Sequence, residues 1–213
     1  FARYFLNSLL VAGSSSLAAT GLATFAAYAV TRLRFRGRTL VARGMLLVYL
    51  LPVVLLMVPL FTMLAHAKLT DTRLGLVLVY IAQTLPVSVY MLGNYFRAIP
   101  MELEEAGMAD GATRLGVIWR ITLPLSLPAL VSVLLYTFVI AWNEFLFAFV
   151  FITSESKRTL PLGFQTIYDS LHTPWDKVMA AATIIALPVM VLFTVFQSFL
   201  VRGLTAGGVK DQG

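Results

Sequence analysis

The sequence of 213 residues contains no cysteine, few charged residues and only two histidines. The absence of cysteine excludes disulfides, thiolate metal sites and cysteine nucleophiles. Charged residues make up 12% of the chain, against roughly 25% in a soluble domain. Hydrophobic residues make up 59%, and the mean hydropathy is +0.86. This composition excludes an ordinary cytosolic enzyme, a disordered tail and a nucleic-acid-binding module, and it indicates a membrane protein.

Five long apolar runs are candidate membrane spans, because a helix crosses the hydrocarbon core with about 20 apolar residues. A signal peptide is a poorer interpretation of the first run, since only Arg3 precedes it and no cleavage pattern follows. The sequence therefore predicts an all-α, polytopic transmembrane helical bundle that forms one domain over residues 1–213. The fourth run contains one charged residue, Glu144, and the other four contain none. In chain order the runs are Phe5–Val30, Gly44–Ala65, Leu74–Phe96, Ile121–Ser154 and Val178–Val201.

Basic residues are distributed unequally between the two sides of these spans. Ten Lys and Arg residues fall in the first and third connections and the C-terminal tail, and six fall on the other side. Five of the ten are arginines between Arg32 and Arg43. Because cytoplasmic loops carry the excess of Lys and Arg, we predict a multi-pass protein of the cytoplasmic (inner) membrane. Its third connection and its C-terminus, which contains Lys210, are predicted to be cytoplasmic.

The third connection, residues 98–124, has the pattern of two short helices around a tight turn. Pro100 followed by three glutamates predicts a helix start, because acidic side chains favour the positive end of the helix dipole. The pair Asp110-Gly111 predicts the end of that helix, since glycine accepts the left-handed conformation at little cost. Thr113 is a suitable N-cap for a second helix. The sequence therefore predicts a helix–turn–helix element at the membrane surface.

This connection resembles the EAA loop of permease subunits from binding-protein-dependent ABC importers. The family pattern is Glu-Ala-Ala, three residues, Gly, nine residues and Ile-x-Leu-Pro. Glycine replaces the usual third alanine here, which lowers helix propensity by about 1 kcal/mol. We refer to residues 98–124 as the EAA loop. The pattern is matched at every spacing by Glu105-Ala106-Gly107, Gly111 and Ile121-Thr122-Leu123-Pro124.

The resemblance extends over essentially the whole chain, to the MalG-like branch that imports oligosaccharides, polyols and related carbohydrates. It implies the type I ABC importer transmembrane-domain fold. Such subunits usually have six helices, so five spans in this chain imply that an N-terminal helix is missing from the sequence. The further similar segments are Asn7-Ser8-Leu9, Ala27-Tyr28-Ala29, Trp142-Asn143-Glu144-Phe145 and residues 202–210.

The resemblance also implies how such a subunit works with its partners. The first helix of the EAA loop would couple the membrane domain to a separate ATPase, with small residues allowing close approach and Glu105 meeting a basic partner. The implied partners are a homologous permease in a heterodimer, two ATPase subunits, an external solute-binding protein, membrane lipid and a carbohydrate, without nucleic acid. The implied coupling residues are Glu102, Glu105, Ala106, Gly107, Ala109, Asp110 and Gly111.

Neither an ATP site nor a metal site is predicted in the chain itself. The sequence lacks a glycine-rich phosphate loop followed by Lys and Ser or Thr, so it is not predicted to be an enzyme and has no catalytic residue. ATP and magnesium would be bound by the partner ATPase subunits, and no cofactor is expected here. The two histidines, His66 and His172, are isolated, whereas a metal site needs several convergent ligands.

Polar residues inside the spans are candidates for a substrate pathway. An ionisable residue at membrane depth costs a few kcal/mol and usually faces a cavity or a partner, which makes Glu144 and its neighbour Asn143 candidates. Gln83 and Tyr90 are seven residues apart and share a helix face. The alternatives remain open: helix packing or an interfacial position for the first pair, and interhelical hydrogen bonding for the second.

The predicted function is that of a permease subunit of an ATP-driven ABC importer that translocates a carbohydrate across the cytoplasmic membrane. Two other classes remain open. A secondary transporter would need intramembrane ion-coupling groups, for which only Glu144 is available. An intramembrane hydrolase would need a nucleophile and a base within reach of each other, and neither histidine lies at the centre of a span.

Overall fold

The computed structural model describes residues 1–168 and 175–208, and it describes side chains as far as residue 199. His172, one of the two isolated histidines, and Lys210 of the C-terminal tail lie outside the described residues. The described elements are α1 (Ala2–Arg32), α2 (Arg38–Tyr49), α3 (Val53–His66), α4 (Arg73–Ala98), α5 (Met101–Ala109), α6 (Arg114–Val117), a π-helical turn (Ile118–Thr122), α7 (Leu123–Leu125), α8 (Leu127–Asn143), α9 (Leu146–Phe151), a 3₁₀ turn (Glu155–Lys157), α10 (Leu160–Tyr168) and α11 (Trp175–Gly208).

Helix α1 is the central element of the bundle and packs against α4 and α8. Its buried face consists mainly of small side chains, and Ala12, Ala19 and Ala23 are completely buried. Small residues allow helix backbones to approach closely, which stabilises helix pairs where lipid removes the hydrophobic driving force. Helix α11 packs against α8 and leaves most of its apolar surface exposed.

Three described helices are long and apolar enough to cross a membrane by themselves: α1, α4 and α11 over Trp175–Phe199. If each of two bent helix pairs is counted as one span, two further spans are added. The total of five then agrees with the number of spans predicted from the sequence. The helices of the first pair, α2 and α3, are bent by 104°, and the segment Arg114–Leu125 is bent by 80° against α8.

The bends fall where prolines interrupt the backbone bonding. Pro52 is the N-cap of α3, and Pro128 lies in the first turn of α8. Proline has no amide hydrogen and disfavours a helical conformation in the residue before it. A new helix can begin at each proline, but the preceding helix does not continue through it. The second and fourth apolar runs are therefore broken helices rather than straight ones.

The two ends of the bundle are distinct in their contacts. The Glu104 end contains the last turns of α1 and α4 together with the EAA loop. The Asp71 end contains the start of α1, the α3–α4 connection and the α9–α10 connection. One core cluster, which includes Tyr80, Trp142 and Phe147, lies toward the Asp71 end. A second cluster, which includes Tyr28 and Phe96, lies toward the Glu104 end.

Candidate functional site

The EAA loop forms the predicted helix–turn–helix element. Helix α5 follows Pro100 and ends at Ala109, with Asp110 as its C-cap, and Gly111 has the expected left-handed conformation, with φ of +87°. A β-branched residue would be strained there. The Thr113 hydroxyl accepts a hydrogen bond of 3.1 Å from the Gly116 amide, so the predicted N-cap of the second helix is confirmed. The second helix then continues through the π-helical turn toward Pro124.

Glu104 anchors α5 to the membrane bundle. Its side chain is buried, and its Oε1 lies 3.0 Å from Nε of Arg32 at the last turn of α1. The Tyr28 hydroxyl donates a hydrogen bond of 3.0 Å to Oε2, and the Thr122 hydroxyl donates one of 3.2 Å to Oε1. One carboxylate thus joins α1, α5 and the π-helical turn.

Arg32 extends this network to the end of α4. Its Nη2 donates hydrogen bonds of 2.7 Å to the carbonyl oxygens of Phe96 and Ile99. The last carbonyls of a helix have no partner within the helix, and a cation is favourable at the negative end of the helix dipole. The Nε of Arg32 makes its close contact with Glu104 as an ion pair rather than as an aligned hydrogen bond. Three chain segments therefore meet at this arginine.

The sequence pattern alone does not identify Glu104 or Arg32 as site residues. Arg32 is one of several basic residues in the first connection, and Glu104 is one of three acids near the predicted helix start. A helical projection gives part of the missing signal, because it places position 104 on the same face as Gly107 and Met108 and Glu102 on roughly the opposite face, but it does not say which face packs inward. The lone glutamate on the inner face of α5 is the one that needs a buried partner.

The outer face of α5 is open to solvent. Six of the seven predicted coupling residues are exposed: Glu102, Glu105, Ala106, Ala109, Asp110 and Gly111. Gly107 is the exception, since it faces the π-helical turn and a Cβ built on it would lie 2.5 Å from Cδ1 of Ile121. Leu103 and Leu115 add apolar surface, with 45% and 60% of their area exposed. This face combines carboxylates, small side chains and exposed leucines.

Glu144 lies at the end of α8 and is engaged by neighbouring groups. Its carboxylate accepts a hydrogen bond of 2.8 Å from the Tyr80 hydroxyl and one of 2.9 Å from the Phe147 amide. A further bond of 3.2 Å comes from the Ala148 amide. A carboxylate in this position satisfies the free amides at the start of α9. The break between α8 and α9 is thus built around Glu144.

The other three pathway candidates lie in different places. Asn143 is exposed and lines a cavity of about 310 Å³ with Pro161 and Gln165. Tyr90 is 51% exposed and lines a different cavity, at the Glu104 end. Gln83 is partly buried, and its Oε1 has no hydrogen-bond partner among the described residues. The structure brings Asn143 and Glu144 together as chain neighbours, but it does not gather the four residues into one site.

The start of α1 is tied to the α9–α10 connection at the Asp71 end. The buried side chain of Asn7 donates hydrogen bonds of 3.0 Å and 2.8 Å to the carbonyl oxygens of Ser156 and Arg158. The hydroxyl of Ser8 accepts one of 2.7 Å from the Leu160 amide. The Asn-Ser-Leu motif therefore satisfies backbone groups of a loop that would otherwise lack partners.

Asp71 fixes the same connection from the other side. Its Oδ1 accepts hydrogen bonds from the amides of Thr153 and Ser154, and its Oδ2 lies 2.7 Å from Nζ of Lys157. The bond with the Lys157 ammonium, followed by that with the Ser154 hydroxyl, holds the pKa of Asp71 well below its ordinary value. Partial burial acts in the opposite direction, but its effect is smaller. Asp71 is therefore a charged clamp on this loop.

These contacts define a membrane protein whose polar groups anchor helices and loops. Among residues 1–168 and 175–208, no group of three His, Asp or Glu side chains is placed to hold a metal ion. The bundle of broken and continuous membrane helices, with an exposed helix–turn–helix loop at one end, is that of a transport-system membrane component.

Residues 19–206 match the family described as the inner membrane component of binding-protein-dependent transport systems, and the chain belongs to this family. The chain is 44% identical over 210 residues to the inner membrane ABC transporter permease protein YcjP of Escherichia coli (strain K12), covering 99% of this chain and 75% of YcjP. It is 39% identical over 215 residues to the trehalose/maltose transport system permease protein MalG of Thermococcus litoralis, covering 100% of this chain and 77% of MalG.

Two further comparisons extend the similarity in sequence and in fold. The sulfoquinovosyl glycerol transport system permease protein SmoH of Agrobacterium fabrum is 37% identical over 207 residues, with 97% of this chain and 73% of SmoH covered. A crystal structure of a bacterial ABC transporter involved in the import of the acidic polysaccharide alginate has the same fold. It superimposes with a TM-score of 0.79 and 23% identity, over 94% of this chain and 75% of that chain. The chain is a multi-pass inner membrane permease of the MalG-like type.

Proposed function

We propose that this chain is a permease subunit of an ATP-driven ABC importer that carries a carbohydrate across the inner membrane. The relatives named above include permeases for trehalose and maltose and for sulfoquinovosyl glycerol. The chain resembles both over nearly its whole length, which supports a substrate of the same chemical class. ATP and magnesium are bound by two separate ATPase subunits, and an external binding protein delivers the substrate.

The observation that supports coupling most strongly is the two-sided character of α5. Its inner face is tied to α1 and α4 through Glu104 and Arg32, while its outer face presents Glu105 and Ala106 to solvent. A helix that docks in an ATPase cleft needs such an exposed face. It also needs a stiff connection to the bundle if displacement of the ATPase is to move the membrane helices. In this proposal Glu102, Glu105, Ala106, Ala109, Asp110 and Gly111 face the ATPase, and Gly107 lets α5 lie close to Ile121.

Orientation and assembly complete the proposal. The Glu104 end faces the cytoplasm, where the ATPase subunits are, and the Asp71 end faces the binding protein. Helices α1, α3 and α11 expose many large apolar side chains, among them Leu17, Val58 and Met190. Lipid covers part of this surface, and a homologous permease in a heterodimer covers the rest.

For the substrate pathway we propose unequal roles for the four candidate residues. The exposed side chain of Asn143 lies against a cavity at the Asp71 end and offers a carboxamide to sugar hydroxyls. Glu144 shapes this cavity by capping α9. Gln83, with an oxygen that lacks a partner among the described residues, lines a deeper part of the path. Tyr90 lies farther along α4, toward the Glu104 end, and contributes to the cytoplasmic part of the path. Switching between two access states follows from the different affinity of each state for its partners.

The test is uptake by the complete complex reconstituted in proteoliposomes, with ATP inside and the cognate binding protein outside. A panel of radiolabelled mono- and disaccharides and sugar glycerols identifies the cargo. We expect uptake of one such carbohydrate that requires ATP and the binding protein and persists with ionophores present. Uptake that needs no ATP but is abolished by ionophores would instead indicate a secondary transporter. Hydrolysis of the sugar by the isolated chain would indicate a hydrolase.

A further inference from the structure

A cavity of about 290 Å³ opens at the Glu104 end, between the last turns of α1, helix α2 and the second half of α4. Two kinds of residue line it. Arg38, Arg43 and Arg97 provide three guanidinium groups, whereas Val89 and Pro86 belong to an apolar portion of the wall. The cavity therefore suits a molecule with an anionic part and an apolar part.

The arginines of the cavity retain capacity to bind an anion. No acidic residue lines the cavity, and none of its three arginines forms an ion pair within the described part of the chain. Arg97 donates one hydrogen bond of 2.8 Å to Oδ1 of Asn94, and Arg38 makes one long contact of 3.4 Å with the Leu33 carbonyl. Since a guanidinium group has five N–H donors, most of these donors remain available. Their planar fork matches a phosphate group.

The apolar portion of the wall extends along α4 away from the charged portion. From Arg97 back to Pro86 the helix rises about 17 Å at about 1.5 Å per residue. Because α4 is a membrane span, Arg97 lies near the membrane surface when Pro86 and Val89 lie among acyl chains. The order of charge and apolar surface along α4 is thus the order of headgroup and chain in a phospholipid.

We propose that this cavity binds an anionic phospholipid, with the phosphate between Arg38, Arg43 and Arg97 and an acyl chain along α4 toward Pro86. Basic pockets between membrane helices near the cytoplasmic surface are suited to anionic lipid headgroups. The proposal depends on the membrane location of the chain, but not on the identity of the transported solute. A bound lipid would connect α2 to α1 and α4, which matters because α2 buries none of its own residues.

Native mass spectrometry of the complete, detergent-purified complex tests the proposal. The complex is titrated with phosphatidylglycerol or with phosphatidylcholine, and the bound lipids are counted. We expect a tight phosphatidylglycerol site in the wild type that weakens about tenfold or more in R38Q/R97Q, because each substitution removes a charged hydrogen-bond donor. The matched control is R34Q/R36Q, which removes two exposed arginines of the same region that do not line the cavity.

A second variant tests the apolar portion of the cavity without altering charge. Ala42 lies in the wall on α2, so Ala42→Trp fills the cavity and should expel the lipid while every arginine stays. Equal weakening in R38Q/R97Q and R34Q/R36Q would overturn the proposal, as would equal affinity for the two lipids. Inorganic phosphate provides the last comparison. If phosphate alone displaces phosphatidylglycerol at matched concentration, the cavity is a phosphate site and the lipid proposal is wrong.

Discussion

Arg32 and Glu104 form an ion pair that joins the last turn of α1 to the inner face of α5, with 3.0 Å between Nε and Oε1. The two side chains are only 7% and 3% exposed. Charges this deeply buried are stable only when paired and hydrogen-bonded, and both partners make additional bonds. A displacement of α5 therefore moves the ends of α1 and α4 with it, because rotating α5 away would leave two buried charges without partners.

Removing one partner of this pair should destabilise the protein strongly. Glu104→Ala leaves the Arg32 guanidinium buried without its carboxylate, and breaking a buried pair costs about 3–5 kcal/mol. Glu104→Gln keeps the shape and an acceptor, so a smaller loss is expected. Thermal unfolding of the purified complex, with Glu102→Gln as the exposed control on the same helix, measures the difference. Equal unfolding temperatures for Glu104→Ala and Glu102→Gln would contradict the anchoring role.

Asp71 should make the stability of its loop depend on pH. Because its pKa is lower in the folded state, the carboxylate stabilises the fold above the ordinary value of about 3.9. This contribution is lost as the pH falls from there through the folded-state pKa. Asp71→Asn should therefore unfold at a lower temperature than the wild type near neutral pH, and the gap should narrow below about pH 4. The control is Asp110→Asn, an exposed carboxylate outside this network. A gap of constant size down to pH 3 would exclude the ion-pair explanation.

The orientation of the bundle can be tested by thiol labelling, since the chain has no cysteine of its own. Ala67 and Arg36 are exposed positions in connections at opposite ends of the bundle. A membrane-impermeant maleimide added to intact cells should label Ala67→Cys, because the Asp71 end is proposed to face outward. Arg36→Cys should be labelled only after the membrane is permeabilised. The reverse pattern would place the EAA loop outside and refute the ATPase contact.

The helix–turn–helix of the EAA loop could be predicted because its signals are local. Pro100, Gly111 and Thr113 each act on their immediate neighbours, so a short window of sequence is sufficient. Glu104 could not be identified in this way, since its partner Tyr28 lies 76 residues earlier in the chain. Only the fold, which brings Tyr28 and Arg32 of α1 to α5, decides which of three neighbouring glutamates is buried.

The number of spans was also predictable from sequence, but their shapes were not. Apolar length measures whether a segment can cross the membrane, and it contains no information about a bend of 104° or 80°. The same limit applies to Glu144. A charge in an apolar run indicates a cavity or a partner, and only the structure places the Tyr80 hydroxyl and two α9 amides around it.

The central proposal is that the outer face of α5 couples an ATPase to the bundle. Two substitutions alter this face without touching the Glu104 network. Ala106→Trp adds bulk where the ATPase should approach, and Gly111→Val introduces a β-branched residue at a φ of +87°, a strain of about 1–2 kcal/mol. Ala67→Trp is the control for bulk. Gly37→Val is the control for strain, because Gly37 has a φ of +88° outside the EAA loop.

The most direct measurement is ATP hydrolysis by the reconstituted complex, with and without the substrate-loaded binding protein. The account predicts that Ala106→Trp and Gly111→Val insert normally but lose the stimulation of hydrolysis by the binding protein, together with uptake. Both controls should retain stimulation and uptake. Full stimulation and full uptake in both EAA-loop variants would contradict the coupling role of α5.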